Sequence, residues 1–315
     1  MIRRRFNISK NQSANTIINY STTDGQLISL PSNLFSSFGV LFKSHDYGKI
    51  KFYGNVTKIG DNAFASCSSL TSITIPDSVI EIGQFAFAGC SSLTSITIPD
   101  SVTSIGYYAF ADCTNLVSFY GILASDDNRL LIYNGEIISV AIGGLISCKI
   151  PYNVIAIGPN AFANCHSLTS VTIPDSVTWI GTSAFNGCTF LTSVTIGNGV
   201  TSIGYNAFAY CHSLTSITIP DSVTKIGKEA FKGCISLTSV TIPDSVTEIG
   251  VSAFNSCPKL GSVYCKATTP PTLGSHVFES NKSGRKIYVP MTSVDAYKSA
   301  ANWNGYASYI VGYNF

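Results

Sequence analysis

Apolar and polar positions along this chain follow two nested periods. Leu168, Val171 and Ile173 alternate with Thr169, Ser170 and Thr172, the period-2 pattern of a strand with aliphatics on one face and hydroxyls on the other. Pro174-Asp175-Ser176 predicts a turn, because Pro presets φ and the Asp carboxylate can accept a backbone N–H two residues on. Val177 and Ile180 then make a second short extended run ending at Gly181. Ala184, Phe185 and Cys188 turn back inside from a tight, 3₁₀-like return. The whole phrase recurs every 23 residues, at Phe64, Phe87 and Phe110 and again at Phe162, Phe185, Phe208, Phe231 and Phe254. A unit of that size cannot bury its apolar face alone, so the period predicts a solenoid of stacked coils. Strands of successive coils would pair at ~4.8 Å, turning each inward position into a ladder of like residues.

Counted by their first strand, the coils begin at Tyr47, Leu70, Leu93, Leu116, Leu145, Leu168, Leu191, Leu214, Leu237 and Leu260. The interval from Leu116 to Leu145 is 29 residues and lacks the Ala-Phe…Cys half. There, two apolar runs flank Asn134-Gly135, a strong two-residue hairpin signal, so residues 122–144 are expected to form a β-hairpin projecting from the stack. Both ends of a solenoid need covers for exposed apolar side chains and strand edges. Residues 1–46 are read as an N-terminal cap with a hairpin in 16–30, residues 47–266 as the solenoid, and residues 267–315 as a C-terminal cap. In that cap Lys286–Pro290 forms one more strand, slipped by one residue, leading into a helix capped by Thr292 or Ser293. The expected fold class is a β-rich solenoid.

Composition narrows the function more by exclusion than by indication. Charged residues make up 11% of the chain, against ~25% in ordinary soluble proteins, so hydroxyl and amide side chains must carry the water-facing surface. A net charge of +2, with no basic run after Arg3-Arg4-Arg5, gives no footprint for nucleic acid. No apolar run reaches the ~18 residues of a transmembrane helix. Asn7, Ser9, Lys10, Asn11 and Gln12 stand where a secretory signal needs its apolar stretch, so none is expected.

Eight of the ten cysteines (Cys67, Cys90, Cys113, Cys165, Cys188, Cys211, Cys234 and Cys257) share one column of the repeat, and Cys148 and Cys265 fall at inward strand positions. All ten are therefore read as small buried thiols, with no C-x-x-C to hold zinc. His166 and His212 share a column two coils apart, ~9–10 Å by strand spacing, too far to share one metal. The turn acids Asp77, Asp100, Asp175, Asp221 and Asp244 form a column broken at Tyr152 and Asn198, better explained by turn chemistry than by calcium. No Ser/His/Asp or Cys/His set converges, so no catalytic residue, metal or cofactor is expected.

Solenoids diversify where packing leaves them free. The position before the second-run Ile reads Lys58, Glu81, Ser104, Ala156, Trp179, Ser202, Lys225 and Glu248, with Trp179 the outlier. Phe190, Tyr205 and Tyr210, and earlier Tyr107 and Tyr108, are also aromatic at variable positions. Exposed aromatics are typical interface or carbohydrate-stacking anchors, which makes these six the candidate binding residues. They stand in different columns, so one contact patch and scattered surface rings both remain open.

The combination Ile-x-Ile-Pro-x-x-Val-x-x-Ile-Gly-x-x-Ala-Phe-x-x-Cys-x-x-Leu, over residues 47–266, resembles the BspA-like leucine-rich repeat family of bacterial surface proteins. The segments Ser262–Pro271, Lys286–Pro290 and Tyr313–Phe315 also resemble the C-terminal part of members from gut-type anaerobes. The resemblance implies a cell-surface or extracellular adhesion module, with a protein or glycan ligand and no enzymatic activity. A monomer is expected. The absence of a recognisable signal keeps a second reading open, a cytoplasmic structural spacer or assembly component without a specific ligand.

Overall fold

A computed structural model describes residues 14–28, 41–46 and 48–315, which fall into two compact units divided between Leu123 and Ala124. The coil beginning at Leu168 shows how each turn is built. Its first strand, Ser170–Ile173, pairs in parallel with Ser193–Ile196, Val171 opposite Val194 and Ile173 opposite Ile196. Its second strand, Trp179–Ile180, pairs with Ser202–Ile203. In both, the aliphatics face inward and are buried.

The return half closes by a different device. Ala184, Asn186 and Cys188 donate within the coil to Gly181, Ser183 and Phe185, at 3.2, 3.0 and 3.2 Å, the i to i+3 bonds of 3₁₀-type turns. The residues between them, Ser183, Phe185 and Gly187, donate to Tyr205, Ala207 and Ala209 of the next coil at 2.7, 2.8 and 2.9 Å. Alternate N–H groups thus close the coil and join it to its neighbour, so none of these donors is orphaned. The alternation needs left-handed backbone at two places per coil, here Ser183 at φ 54° and Gly187 at φ 72°.

In the second unit the second-run strands form an eight-stranded sheet from Leu130–Tyr133 to Thr272–Leu273. The first-run strands form a three-stranded sheet beginning at Ser147–Lys149 and a five-stranded sheet running from Ser216–Thr218 to Ile310–Tyr313. Between these layers Phe162, Phe185, Phe208, Phe231, Phe254 and Phe278 stack ring on ring, with centroids 4.7 to 5.9 Å apart. Trp303 and Tyr306 close on Phe278. The expected hairpin forms, Leu130–Tyr133 against Glu136–Val140, around Asn134 and Gly135 at φ 49° and 76°. It does not project. Glu136–Val140 lies parallel to Ala156–Ile157, with Ile137 opposite Ile157, so the hairpin supplies that coil's second-run strand. Leu130, Leu131, Ile137, Ile138 and Val140 are buried accordingly.

At the C-terminal end Lys286–Pro290 extends the first-run ladder, Ser262 opposite Lys286 and Tyr264 opposite Tyr288. The helix Val294–Ser299 follows Ser293 as expected, although the Ser293 side chain makes no capping bond. Tyr297 and Trp303 are fully buried and donate to the Ala267 and Pro271 oxygens, while Asn302 donates to Leu273. Carbonyls that another coil would have paired are satisfied by side chains.

In the first unit the second-run strands Lys58–Ile59, Glu81–Ile82 and Ser104–Ile105 pair in parallel, and Phe64, Phe87 and Phe110 stack at 5.3 Å. Ile50 and Phe52 point inward as the repeat requires, while Tyr47 lies outside the described residues. The strand Ala14–Thr22 differs from the expected hairpin in 16–30. It runs antiparallel to Lys49–Tyr53 and then to Leu70–Ile73. Gln26–Ile28 carries no strand, and residues 29–30 lie outside those described.

Candidate functional site

The interior columns are chemically quiet. All ten cysteines are buried and none forms a disulfide. Six of them donate Sγ–H to the backbone oxygen of the Phe one coil earlier, as Cys211 does to Phe185 at 3.3 Å. Burial pushes the thiols of Cys67 up to about 11 and of Cys113, Cys148 and Cys257 up to about 12. Such groups stay protonated and poorly nucleophilic at neutral pH. Among the described residues no cluster of His, Cys, Asp or Glu is arranged to hold a metal ion.

Turn side chains serve the stack as well. Asp175 accepts the Asn198 N–H at 2.6 Å, across to the next coil and not two residues on as the turn alone suggests. Ser78, Ser101, Ser176, Ser222 and Ser245 donate to a Val oxygen of the preceding coil at 2.6–2.8 Å. A cleft of about 410 Å³ beside Asp244 is lined by Thr247, Thr268, Thr269, Pro270 and Thr272. Asp244 is its one titratable side chain, so it holds no acid–base pair.

The six aromatics chosen from the sequence lie on separate positions of the coil. Trp179 is half-buried in the second-run ladder between Ala156 and Ser202. Tyr205, on the return, is exposed with the Lys228 ammonium 5.4 Å from its ring. Tyr210 takes left-handed backbone at φ 59° and lies against Gly233, where a Cβ would stand 2.7 Å from the ring. Phe190 is 61% exposed. In the first unit Tyr107 is exposed, and Tyr108 stacks on Phe85 at 4.8 Å. Among the described residues no ring pair joins any two of the six.

A larger group of rings belongs to a column passed over in the sequence. On the outer face of the five-stranded sheet the position held by Thr218 and Thr241 is taken by Tyr264 and then by Tyr288. These two rings stack at 4.7 Å, and Tyr313 stands side-on to both at 5.6 and 5.4 Å. Phe315 adds a fourth ring 5.1 Å from Tyr313. Tyr313 and Phe315 are exposed, and Tyr264 and Tyr288 half-buried. Strand alternation puts Lys286 on the same face two residues before Tyr288, while the exposed Lys266 follows the end of the Tyr264 strand, its N–H donating to the Ile242 oxygen. The signal is legible in the repeat: after Thr172, Thr195, Thr218 and Thr241 the column turns to Tyr264 and Tyr288, as it turns to Tyr120 after Thr97 in the first unit.

Known proteins fit this architecture. The model of the BspA type leucine rich repeat region matches in six copies, over residues 37–122, 142–261 and 201–302. A crystal structure titled a leucine rich cell surface protein, from Faecalibacterium prausnitzii, is 38% identical with a TM-score of 0.61. The alignment covers 67% of this chain and 57% of that one, so this chain spans little more than half the length of that relative. A leucine-rich repeat protein from Bacteroides ovatus is 23% identical over 95% of this chain and 99% of its own, with a TM-score of 0.50. The pneumococcal vaccine antigen PcpA is 19% identical over 77% of this chain and 67% of its own, at 0.56. The last two show the fold alone. No curated protein matches the chain. With the repeat model running through most of the coils, this chain belongs to the BspA-type leucine-rich repeat family.

Proposed function

We propose that the chain is a non-catalytic binding module of a bacterial cell surface, recognising host or microbial macromolecules through side chains fixed on a rigid lattice. The cluster of Tyr264, Tyr288, Tyr313 and Phe315 carries this reading. Four rings gather at the end of a column that Thr172, Thr195, Thr218 and Thr241 hold in the preceding coils, and no interior packing calls for them there. Exposed aromatics on a preorganised scaffold give contact area at low entropic cost. The Faecalibacterium relative, described as a cell surface protein, supports the location. The buried thiols and the lone carboxylate of the cleft give no support to a catalytic reading.

Two measurements test it. Proteolysis of intact cells should degrade the protein, and full protection would sink the surface reading. An array of matrix proteins and glycans should give ligands whose capture weakens in Tyr288→Ala. An array on which wild type binds nothing would favour a spacer.

A further inference from the structure

We propose that the outer face bearing Tyr264, Tyr288 and Tyr313, flanked by Lys266 and Lys286, binds a carboxylated polysaccharide; this rests on the binding reading above. Charge points first to an acid. Residues 259–315 hold Lys259, Lys266, Lys282, Arg285, Lys286 and Lys298 against Glu279 and Asp295, while the whole chain carries only +2. The basic surplus is therefore concentrated at this end of the sequence, and the remainder of the chain is net acidic. Among the described residues neither Lys266 nor Lys286 joins an ion pair. Glu279 is engaged by His276. Lys286 stands on the tyrosine face and Lys266 at the end of the Tyr264 strand, both exposed and without a carboxylate of their own.

The surrounding groups favour a sugar over an acidic polypeptide. A polypeptide gains most of its affinity by seating apolar side chains in desolvated pockets. This face is a parallel sheet whose outward positions read Ser239, Thr241, Ser262, Tyr264, Lys286 and Tyr288. Hydroxyls, phenols and ammonium groups are presented there at strand spacing. A uronic acid ring supplies the complement: C–H bonds for the aromatic rings, hydroxyls for the Ser, Thr and Tyr hydroxyls, and a carboxylate for lysine. A polymer of such rings repeats along a surface that itself repeats, so weak contacts add by multivalency.

Affinity electrophoresis or calorimetry with polygalacturonate, alginate and hyaluronan tests this, with neutral galactan and poly-glutamate as controls. The wild type should bind at least one acidic glycan in a salt-sensitive manner, and galactan should bind more weakly. Tyr288→Ala and the pair Lys266→Gln with Lys286→Gln should each weaken binding about tenfold or more. Tyr288→Phe should retain most of it. Both lysines are exposed, so the Lys→Gln pair leaves the fold intact even should Tyr288→Ala disturb the sheet. Failure to bind any of the three acids, undiminished binding by both variants, or equal binding of poly-glutamate would each overturn the proposal. A protein ligand captured through Tyr288 by a chain indifferent to all three acids would overturn the glycan assignment and leave the binding function standing.

Discussion

The thiol of Cys188 donates to the backbone oxygen of Phe162 at 3.1 Å, and that same oxygen accepts the Cys165 N–H at 3.2 Å. One carbonyl thereby ties its own coil shut and holds the next coil to it. The Cys column is set by hydrogen bonding as well as by size, since Ala would fit the space without supplying a donor. Cys211 makes the equivalent bond to Phe185. Cys211→Ala should cost about 1–2 kcal/mol, from the lost bond and a small void. Cys211→Ser keeps a donor and should cost less than Cys211→Val, which loses the donor and overfills the site. Urea melts give the ranking; Val as the best-tolerated replacement would mean that volume alone selects the residue.

Burial of the thiols also sets the response to alkali. The folded state holds Cys67 at about 11 and Cys113, Cys148 and Cys257 at about 12, against an ordinary 9.0. The unfolded chain loses these protons first, so above pH 9 it binds fewer protons than the native state and stability falls with rising pH. This part of the stability is complete below pH 9 and drains away towards pH 11–12. Melting temperatures should hold through neutral pH and drop beyond 9. Thiolate absorbance should appear together with loss of the far-ultraviolet signal; thiolate forming in a still-folded protein would show the column to be open to solvent.

Phe185 lies between Phe162 at 4.7 Å and Phe208 at 5.0 Å and is fully buried. Phe185→Ala removes both stacking contacts and opens a cavity that the two ladders resist closing, a cost of about 3–5 kcal/mol. Thr195 stands outward and exposed on the neighbouring first-run strand. Thr195→Ala should cost within about 0.5 kcal/mol. Comparable losses from the two in denaturant melts would mean that the inward and outward columns are wrongly assigned.

The inward columns were legible because the same packing problem is posed at every coil and answered with the same residues. The return was less so. The first of its two left-handed positions reads Asn62, Phe85 and Tyr108 in one unit and Asn160, Ser183, Asn206, Glu229, Ser252 and His276 in the other. Only Asn and His among these announce positive φ. The rest are held by the alternating bonds to the next coil, a tertiary cause that local propensity does not carry. The hairpin at Asn134-Gly135 was recognised from its turn, but its place was not. Glu136-Ile137 already spells the polar-then-aliphatic pair of a second-run strand, as in Glu248-Ile249, and so it joins the ladder. Tyr264 and Tyr288 are harder to read, because an outward strand position is free of packing and a change of identity there does not disturb the period.

Two glycines separate conformation from packing as reasons for the residue. Gly144 has φ 65° and nothing within 4 Å of where a Cβ would stand, so only backbone preference favours it. Gly204 has no such φ; a Cβ there would lie 2.7 Å from the Ile180 oxygen and 2.8 Å from backbone atoms of Gly181 on the preceding coil. At Gly144 an Asn, which tolerates left-handed backbone, should be accepted better than Ala, whose cost is about 1 kcal/mol. At Gly204 the order should reverse. Gly204→Ala must push two coils apart, about 1–3 kcal/mol, and Gly204→Asn, with more atoms in the same gap, should be worse. Thermal melts of the four variants decide it. The same Asn-over-Ala order at both sites would mean that the second-run glycines are kept for their dihedral angles, and that the close approach of the coils follows from the turn without requiring the missing side chain.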